Sequence, residues 1–145
     1  MKSIGSMTQG ELAAYIDSNL RESGVNVVLS GGACVAIYSN HQYVSKDLDF
    51  IAQFSLDPKK IASVMKSLGF MPKGRYFYHP QTSYFVEFIS GPPSVGRDPI
   101  QEIQVLKLET GTIRIISPTD CVKDRLAAFY HWGDRQALAQ AVLVS

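Results

Sequence analysis

An α+β fold with a mixed, twisted β-sheet and flanking helices is what this sequence predicts. Apolar residues recur at helical spacing in some segments and form short β-branched runs in others. These segments follow the order helix, strand, helix, strand, helix, then several strands, then helices, which is typical of an α+β arrangement. At 145 residues, the chain has the length of one domain with a proper core, so we expect residues 1–145 to form a single domain.

The first half of the chain contains two helix–strand pairs. The first helix begins at a capping box, in which Thr8 is the N-cap and Glu11 the N3 residue, and it ends at Gly24. A β-branched strand follows, and Gly31 and Gly32 turn the chain into a short apolar helix. The remaining predicted elements here are a strand over 25–29, a helix over 33–38 and a strand over 48–52.

The second half is predicted as one helix, then strands, then two helices. Asp57 and Pro58 form an N-cap followed by proline at N1, and Ser117 and Pro118 do the same later in the chain. Gly133 and Asp134 separate the last two helices. The strands are expected over 76–78 and 84–89, joined by a turn at 79–81, and in a hairpin over 103–108 and 112–116, with a loop at 91–96.

Composition narrows the class of protein. The net charge is +1 and 46% of the residues are hydrophobic, so there is no broad electrostatic case for nucleic acid or membrane binding. A local basic patch is compatible with this net charge. Cys34 and Cys121 form no CxxC motif, so we expect buried, reduced thiols in a cytoplasmic protein. No N-terminal signal segment and no membrane-spanning run is recognisable.

Two carboxylates one residue apart, Asp47 and Asp49, lie in the apolar run that predicts the second strand. Alternate side chains of a strand share a face, so both carboxylates point the same way. Adjacent carboxylates repel each other and are costly to bury unpaired, and a hard divalent cation such as Mg²⁺ relieves both costs.

A glycine turn precedes the carboxylates. Ser30, Gly31 and Gly32 close the first strand just before a helix N-terminus, where backbone N–H groups can approach a phosphate. Glu87 is a candidate third carboxylate, because it interrupts a strand that otherwise looks buried, and a shared metal would compensate its charge there. Together these residues indicate a site for a metal-chelated nucleotide, which is what nucleotidyl transfer requires.

Each of these features also has an ordinary structural explanation. A lone pair of aspartates is weak support, a glycine pair is often only a turn, and an acid in an apolar strand often faces solvent at a sheet edge. Their joint order and spacing favour the functional interpretation. The aromatic run at 75–78 and nearby lysines such as Lys73 could contact a base or RNA, but packing and solvation are the simpler uses.

The arrangement resembles the minimal nucleotidyltransferase superfamily, the DNA polymerase β-like fold. The pattern is carried by Leu29-Ser30-Gly31-Gly32, by Asp47-Leu48-Asp49-Phe50 and by Phe85-Val86-Glu87-Phe88, and a late helix follows at 117–126. The likeness extends from about residue 25 to residue 134 and is greatest to the group of AbiEii-type toxins. Gly32 departs from the family pattern, in which many relatives have serine; Ser30 is the candidate substitute.

The resemblance implies a Mg²⁺-dependent enzyme, with Mn²⁺ as an alternative, that transfers a nucleoside monophosphate from an NTP to a hydroxyl group. It implies that Asp47 and Asp49 bind metal, that Glu87 is the third ligand or the base, and that Lys123 reaches the phosphates; Asp134 is a further acidic position. The acceptor, whether tRNA, a protein or a small molecule, and an antitoxin partner stay open. The alternatives are a catalytically inactive binding or regulatory module and, less favoured, a sugar-nucleotide glycosyltransferase.

Overall fold

The computed structural model describes residues 2–39, 46–54, 56–91, 94–95, 98–99, 102–132 and 135–144. Asp134, with the predicted break before the last helix, lies outside these ranges. None of the helices in the described ranges has the length and apolarity needed to cross a membrane. The helices are α1 (Gln9–Glu22), α2 (Gly31–Tyr38), α3 (Pro58–Ser67), α4 (Pro118–Trp132) and α5 (Arg135–Val144).

The strands are β1 (Val27–Ser30), β2 (Asp47–Ala52), β3 (Met71–Lys73), β4 (Tyr76–Tyr78), β5 (Phe85–Ile89), β6 (Ser94–Val95), β7 (Asp98–Pro99), β8 (Ile103–Leu108) and β9 (Gly111–Ile116). Within the described residues, seven of these strands form one mixed sheet in the order β3-β4-β5-β2-β1-β9-β8. The pairs β2–β5 and β1–β9 are parallel, and the other pairs in this sheet are antiparallel. The α+β prediction with a mixed sheet and flanking helices is therefore confirmed.

The predicted helix starts are confirmed by their hydrogen bonds. The Thr8 hydroxyl accepts from the Glu11 N–H at 3.2 Å, and the Glu11 carboxylate accepts from the Thr8 N–H at 3.0 Å. The Ser117 hydroxyl accepts from the Asp120 N–H at 3.1 Å. Each such cap satisfies a backbone donor that the helix itself leaves unpaired, and its loss typically costs about 1 kcal/mol.

The core fills the face of β2 that does not carry the carboxylates. Leu48 and Phe50 are fully buried, and the Phe50 and Phe88 rings stack with centroids 5.7 Å apart. Cys34 and Cys121 are both buried and unbridged, as the sequence predicts. Because alternate residues of β2 are apolar and inward-facing, the intervening carboxylates are directed to the opposite face of the sheet.

The structure contains short strands that the sequence does not predict, and several other elements begin or end one or two residues from their predicted bounds. Residues 71–73 form an edge strand, β3, whose side chains are all exposed, so it has none of the alternating burial that identifies a strand from sequence. Pro72 at a sheet edge is compatible with this position. The predicted loop at 91–96 also contains β6, which pairs with β7, and such two-residue strands give no periodic signal.

Candidate functional site

The three predicted carboxylates lie on one face of the sheet. Asp49 of β2 is the direct parallel partner of Glu87 of β5, and paired residues of neighbouring strands point to the same side. Asp47 shares this face because it precedes Asp49 by two positions. Asp47 is exposed, whereas Asp49 and Glu87 are partly buried. The pairing of β2 with β5 therefore brings together Asp49 and Glu87, which are 38 positions apart in the sequence.

The strand pairings extend this arrangement into a row across five strands. Ser30 pairs with Asp49, Asp49 with Glu87, Glu87 with Tyr76, and Tyr76 with Lys73. Adjacent members of the row are about 5 Å apart, which is the spacing between neighbouring strands. The row consequently has the glycine turn at one end, the carboxylates in the middle and an aromatic and a basic residue at the other end.

The turn after β1 is in close contact with the carboxylates. Gly31 has a φ of 68°, a conformation that favours glycine. A Cβ atom at Gly31 would overlap the Asp49 carboxylate and would lie 3.2 Å from its Cγ. The Ser30 hydroxyl donates a 3.2 Å hydrogen bond to the backbone carbonyl of Asp49. These contacts place the start of α2, including Gly32 in its first turn, directly against the carboxylate face.

The charges at the site are concentrated around Asp49. Burial, with a further contribution from the neighbouring Glu87 and Asp47 carboxylates, raises the pKa of Asp49 to about 7. The positive charge of Arg125 opposes this rise. The ionised form of Asp49 is therefore disfavoured by burial and by the two neighbouring carboxylates. A bound divalent cation would compensate this negative charge.

The donor atoms suit Mg²⁺ or Mn²⁺, because both prefer carboxylate oxygen. In the described residues, however, the side chains form no group of three His, Cys, Asp or Glu close enough to hold a metal ion together. Glu87 is directed instead toward Arg75, with the Arg75 Nε 3.7 Å from the Glu87 carboxylate. The Arg75 side chain is 74% exposed, so this ion pair is weak.

Helix α4 brings a cation that sequence reasoning did not select. Lys123 is exposed, whereas Arg125 is largely buried, is among the charges that act on Asp49, and forms an ion pair with Asp124. Arg125 also donates a 3.2 Å hydrogen bond to the side-chain oxygen of Gln140. Residues two positions apart point to different sides of a helix. The sequence shows Arg125 two positions after Lys123, but it does not show which side of α4 faces the carboxylates. The phosphate-binding role of Lys123 stays a prediction.

We expect Asp49→Asn to stabilise the metal-free protein at pH 8. The folded-state pKa of Asp49, about 7, exceeds its ordinary value of 3.8, so the wild-type protein loses stability as the pH rises between these values. Asparagine has nearly the same shape and cannot ionise. The free energy of unfolding, measured by urea titration in EDTA, should rise by about 2–4 kcal/mol at pH 8, and the gain should shrink toward pH 4. An equal gain at both pH values would contradict this explanation.

No family model matches the sequence, and no curated protein matches it. Among solved structures, an antigenic nucleotidyltransferase-like protein from Paracoccidioides brasiliensis is similar with a TM-score of 0.70 and 14% identity, over 94% of this chain and 74% of that one. ANT(2″)-Ia in complex with adenylyl-2″-tobramycin matches with a TM-score of 0.54 and 11% identity, over 88% of this chain and 83% of that one. A solution structure of the antibiotic-resistance factor ANT(2″)-Ia matches with a TM-score of 0.56 and 11% identity, over 90% of this chain and 78% of that one.

At these identities the likeness shows the fold. This chain has the nucleotidyltransferase fold, as the sequence predicts. The likeness to AbiEii-type toxins stays a prediction.

Proposed function

We propose that this protein is a Mg²⁺-dependent nucleotidyltransferase, with Mn²⁺ as an alternative metal, that transfers a nucleoside monophosphate from an NTP to a hydroxyl acceptor. The observation that carries the proposal is the placement of Asp47, Asp49 and Glu87 on one sheet face beside the Ser30–Gly31 turn. The nucleotidyltransferase fold supports it.

In the proposed reaction the acceptor hydroxyl oxygen attacks the α-phosphorus of the NTP. The bond from the α-phosphorus to the oxygen that bridges to the β-phosphate breaks, and pyrophosphate leaves. Glu87 accepts the hydroxyl proton or orients the hydroxyl. Asp47 and Asp49, with Glu87 once it has turned from Arg75, would hold the metal, which neutralises charge on the phosphates when bound.

The triphosphate would lie at the β1 side of the carboxylates. There the N-terminus of α2 presents the backbone N–H groups of Gly31 and Gly32, and the Ser30 side chain is adjacent. Helix N-termini favour anions through these unpaired donors. Lys123 on α4 would add a positive charge, and Arg125 of the same helix already acts on Asp49.

The acceptor class is open. The complex of ANT(2″)-Ia with adenylyl-2″-tobramycin offers a small molecule as one precedent, and tRNA or a protein side chain are the others. The resemblance to AbiEii-type toxins suggests a cytoplasmic toxin–antitoxin component with an antitoxin partner.

A catalytically inactive binding or regulatory module of the same fold is the second candidate. Two observations favour it: Glu87 is directed toward Arg75, and the described residues contain no cluster of three metal-ligating side chains. In such a module the carboxylate face would bind a nucleotide or a partner without transfer.

Binding of Mg²⁺ and each of the four NTPs, measured by thermal shift, tests the proposal. An NTP present at about 100 times its dissociation constant should stabilise the protein by about 2.7 kcal/mol, which is several degrees in melting temperature. The productive NTP should then release pyrophosphate in the presence of an acceptor. Stabilisation by an NTP without release of pyrophosphate from it, whichever acceptor is present, would favour the inactive module. The absence of stabilisation by every NTP would refute the proposed site.

Two lysine variants sharpen this measurement. Lys123→Ala should reduce the NTP-dependent shift, because it removes the proposed phosphate contact. Lys66→Ala is the matched control, since Lys66 is also an exposed helical lysine but lies on α3. An equal effect of both substitutions would show that the Lys123 charge acts nonspecifically.

A further inference from the structure

A cleft of about 460 Å³ adjoins the carboxylates on the side away from α2. It is lined by Asp47, Lys73, Gly74, Tyr76 and Phe85. Its floor is aromatic, because the Tyr76 and Phe85 rings meet edge to face with centroids 6.0 Å apart. Asp47 belongs to both the cleft and the carboxylate group, so the two are continuous.

The strand order fixes where this cleft lies relative to the nucleotide. Ser30 and Gly31 are on the β1 side of Asp49, and Tyr76 and Lys73 are on the β4 and β3 side. In nucleotidyl transfer the attacking and leaving oxygens are roughly in line through the phosphorus. If pyrophosphate leaves on the β1 side, the acceptor hydroxyl must approach from the side of Tyr76. The cleft is therefore in the position of the acceptor.

The chemistry of the cleft selects among acceptors. Tyr76 and Phe85 are partly exposed and offer ring surface on which a flat base can stack. Lys73 supplies a positive charge to the lining, and the Arg75 guanidinium lies 5.1 Å from the centre of the Tyr76 ring. The Asp47 carboxylate in the lining and the Glu87 carboxylate beside Arg75 offset these two charges. The aromatic surface, rather than the net charge, therefore favours a flat base, and Lys73 can contact the phosphate that such a base carries.

We infer that this cleft, defined by Lys73, Gly74, Tyr76 and Phe85 beside Asp47, binds the unpaired end of a nucleic acid strand as the acceptor. The inference rests on the proposed nucleotidyl transfer for the role of the cleft. The binding of the strand itself can be measured without NTP.

The test is fluorescence anisotropy with a labelled ten-nucleotide single-stranded RNA and with the same sequence as a duplex. Single-stranded RNA should bind more tightly, because its base faces are free to stack. Tyr76→Ala should weaken this binding about tenfold, and Tyr76→Phe should retain it. Lys73→Ala should weaken it about threefold and flatten its salt dependence. Tyr78→Ala is the matched control on the same strand, since Tyr78 does not line the cleft.

Three results would overturn the inference: no binding of the single strand, equal binding of the duplex, or equal losses from Tyr76→Ala and Tyr78→Ala. The melting temperature of each variant shows whether it is folded. If wild-type protein binds NTP but no RNA, this inference fails and the proposed function stands; if it binds RNA through Tyr76 but no NTP, the transfer proposal fails and the acceptor role of the cleft fails with it.

Discussion

The double substitution Asp47→Asn and Asp49→Asn should abolish nucleotidyl transfer and the binding of Mg²⁺–NTP. Both residues would hold the metal, and without them the α-phosphate loses charge stabilisation worth several kcal/mol. The rate should fall by about 1,000-fold or more. Isothermal titration with NTP, with and without Mg²⁺, separates loss of binding from loss of chemistry. Unchanged Mg²⁺-dependent NTP binding would show that these carboxylates are not part of the nucleotide site.

Loss of folding should not explain the effect of this variant. Because Asp49 is destabilising when charged at neutral pH, the asparagine variant should melt at an equal or higher temperature than the wild type in EDTA. Glu22→Gln is the matched control: it removes one exposed carboxylate at the end of α1 and should leave binding and transfer unchanged.

Gly31→Ala should destabilise the protein by about 2–4 kcal/mol and greatly weaken NTP binding. Two effects add here. Alanine is strained at a φ of 68°, and its Cβ would overlap the Asp49 carboxylate. To make room, either α2 must shift or Asp49 must turn away, and either change separates the proposed phosphate donors from the carboxylates. Urea unfolding and NTP titration measure the two consequences.

Gly74→Ala isolates the first effect, the backbone strain. Gly74 has a similar φ of 60°, but a Cβ there would meet nothing within 4 Å. It should therefore cost only the backbone strain, about 1 kcal/mol, and leave NTP binding intact. If Gly31→Ala and Gly74→Ala prove equally costly, the contact between Gly31 and Asp49 has no energetic importance.

Short-range sequence patterns account for most of the helices and strands that the sequence predicts correctly. The caps at Thr8 and Ser117 and the apolar spacing of the helices are short-range features, so their positions are readable. The edge strand β3 is not, because its side chains are exposed and it forms only through pairing with β4. Its existence depends on a partner rather than on its own pattern.

Short-range patterns likewise predict only part of the candidate site. The common face of Asp47 and Asp49 follows from the alternation of a single strand. The strand register places Glu87 opposite Asp49, and its role as the third carboxylate stays a prediction. The ion pair of Glu87 with Arg75 does not follow from any sequence pattern. Neither Arg75 nor Arg125 carries a motif, and their proximity to the carboxylates depends on how a hairpin and a helix pack, which short-range patterns do not encode.

The parallel pairing of β2 with β5 has a consequence for how such a protein can diversify. Residues 53–84, which connect the two strands, contain α3 and the hairpin with Lys73 and Tyr76, while both ends of this connection are fixed by the ladder that joins Asp49 to Glu87. This connection also packs into the core through Ile61, Met65 and Phe70. The exposed turn of the hairpin is therefore the part whose length and surface can change while the registration of the acidic residues is preserved.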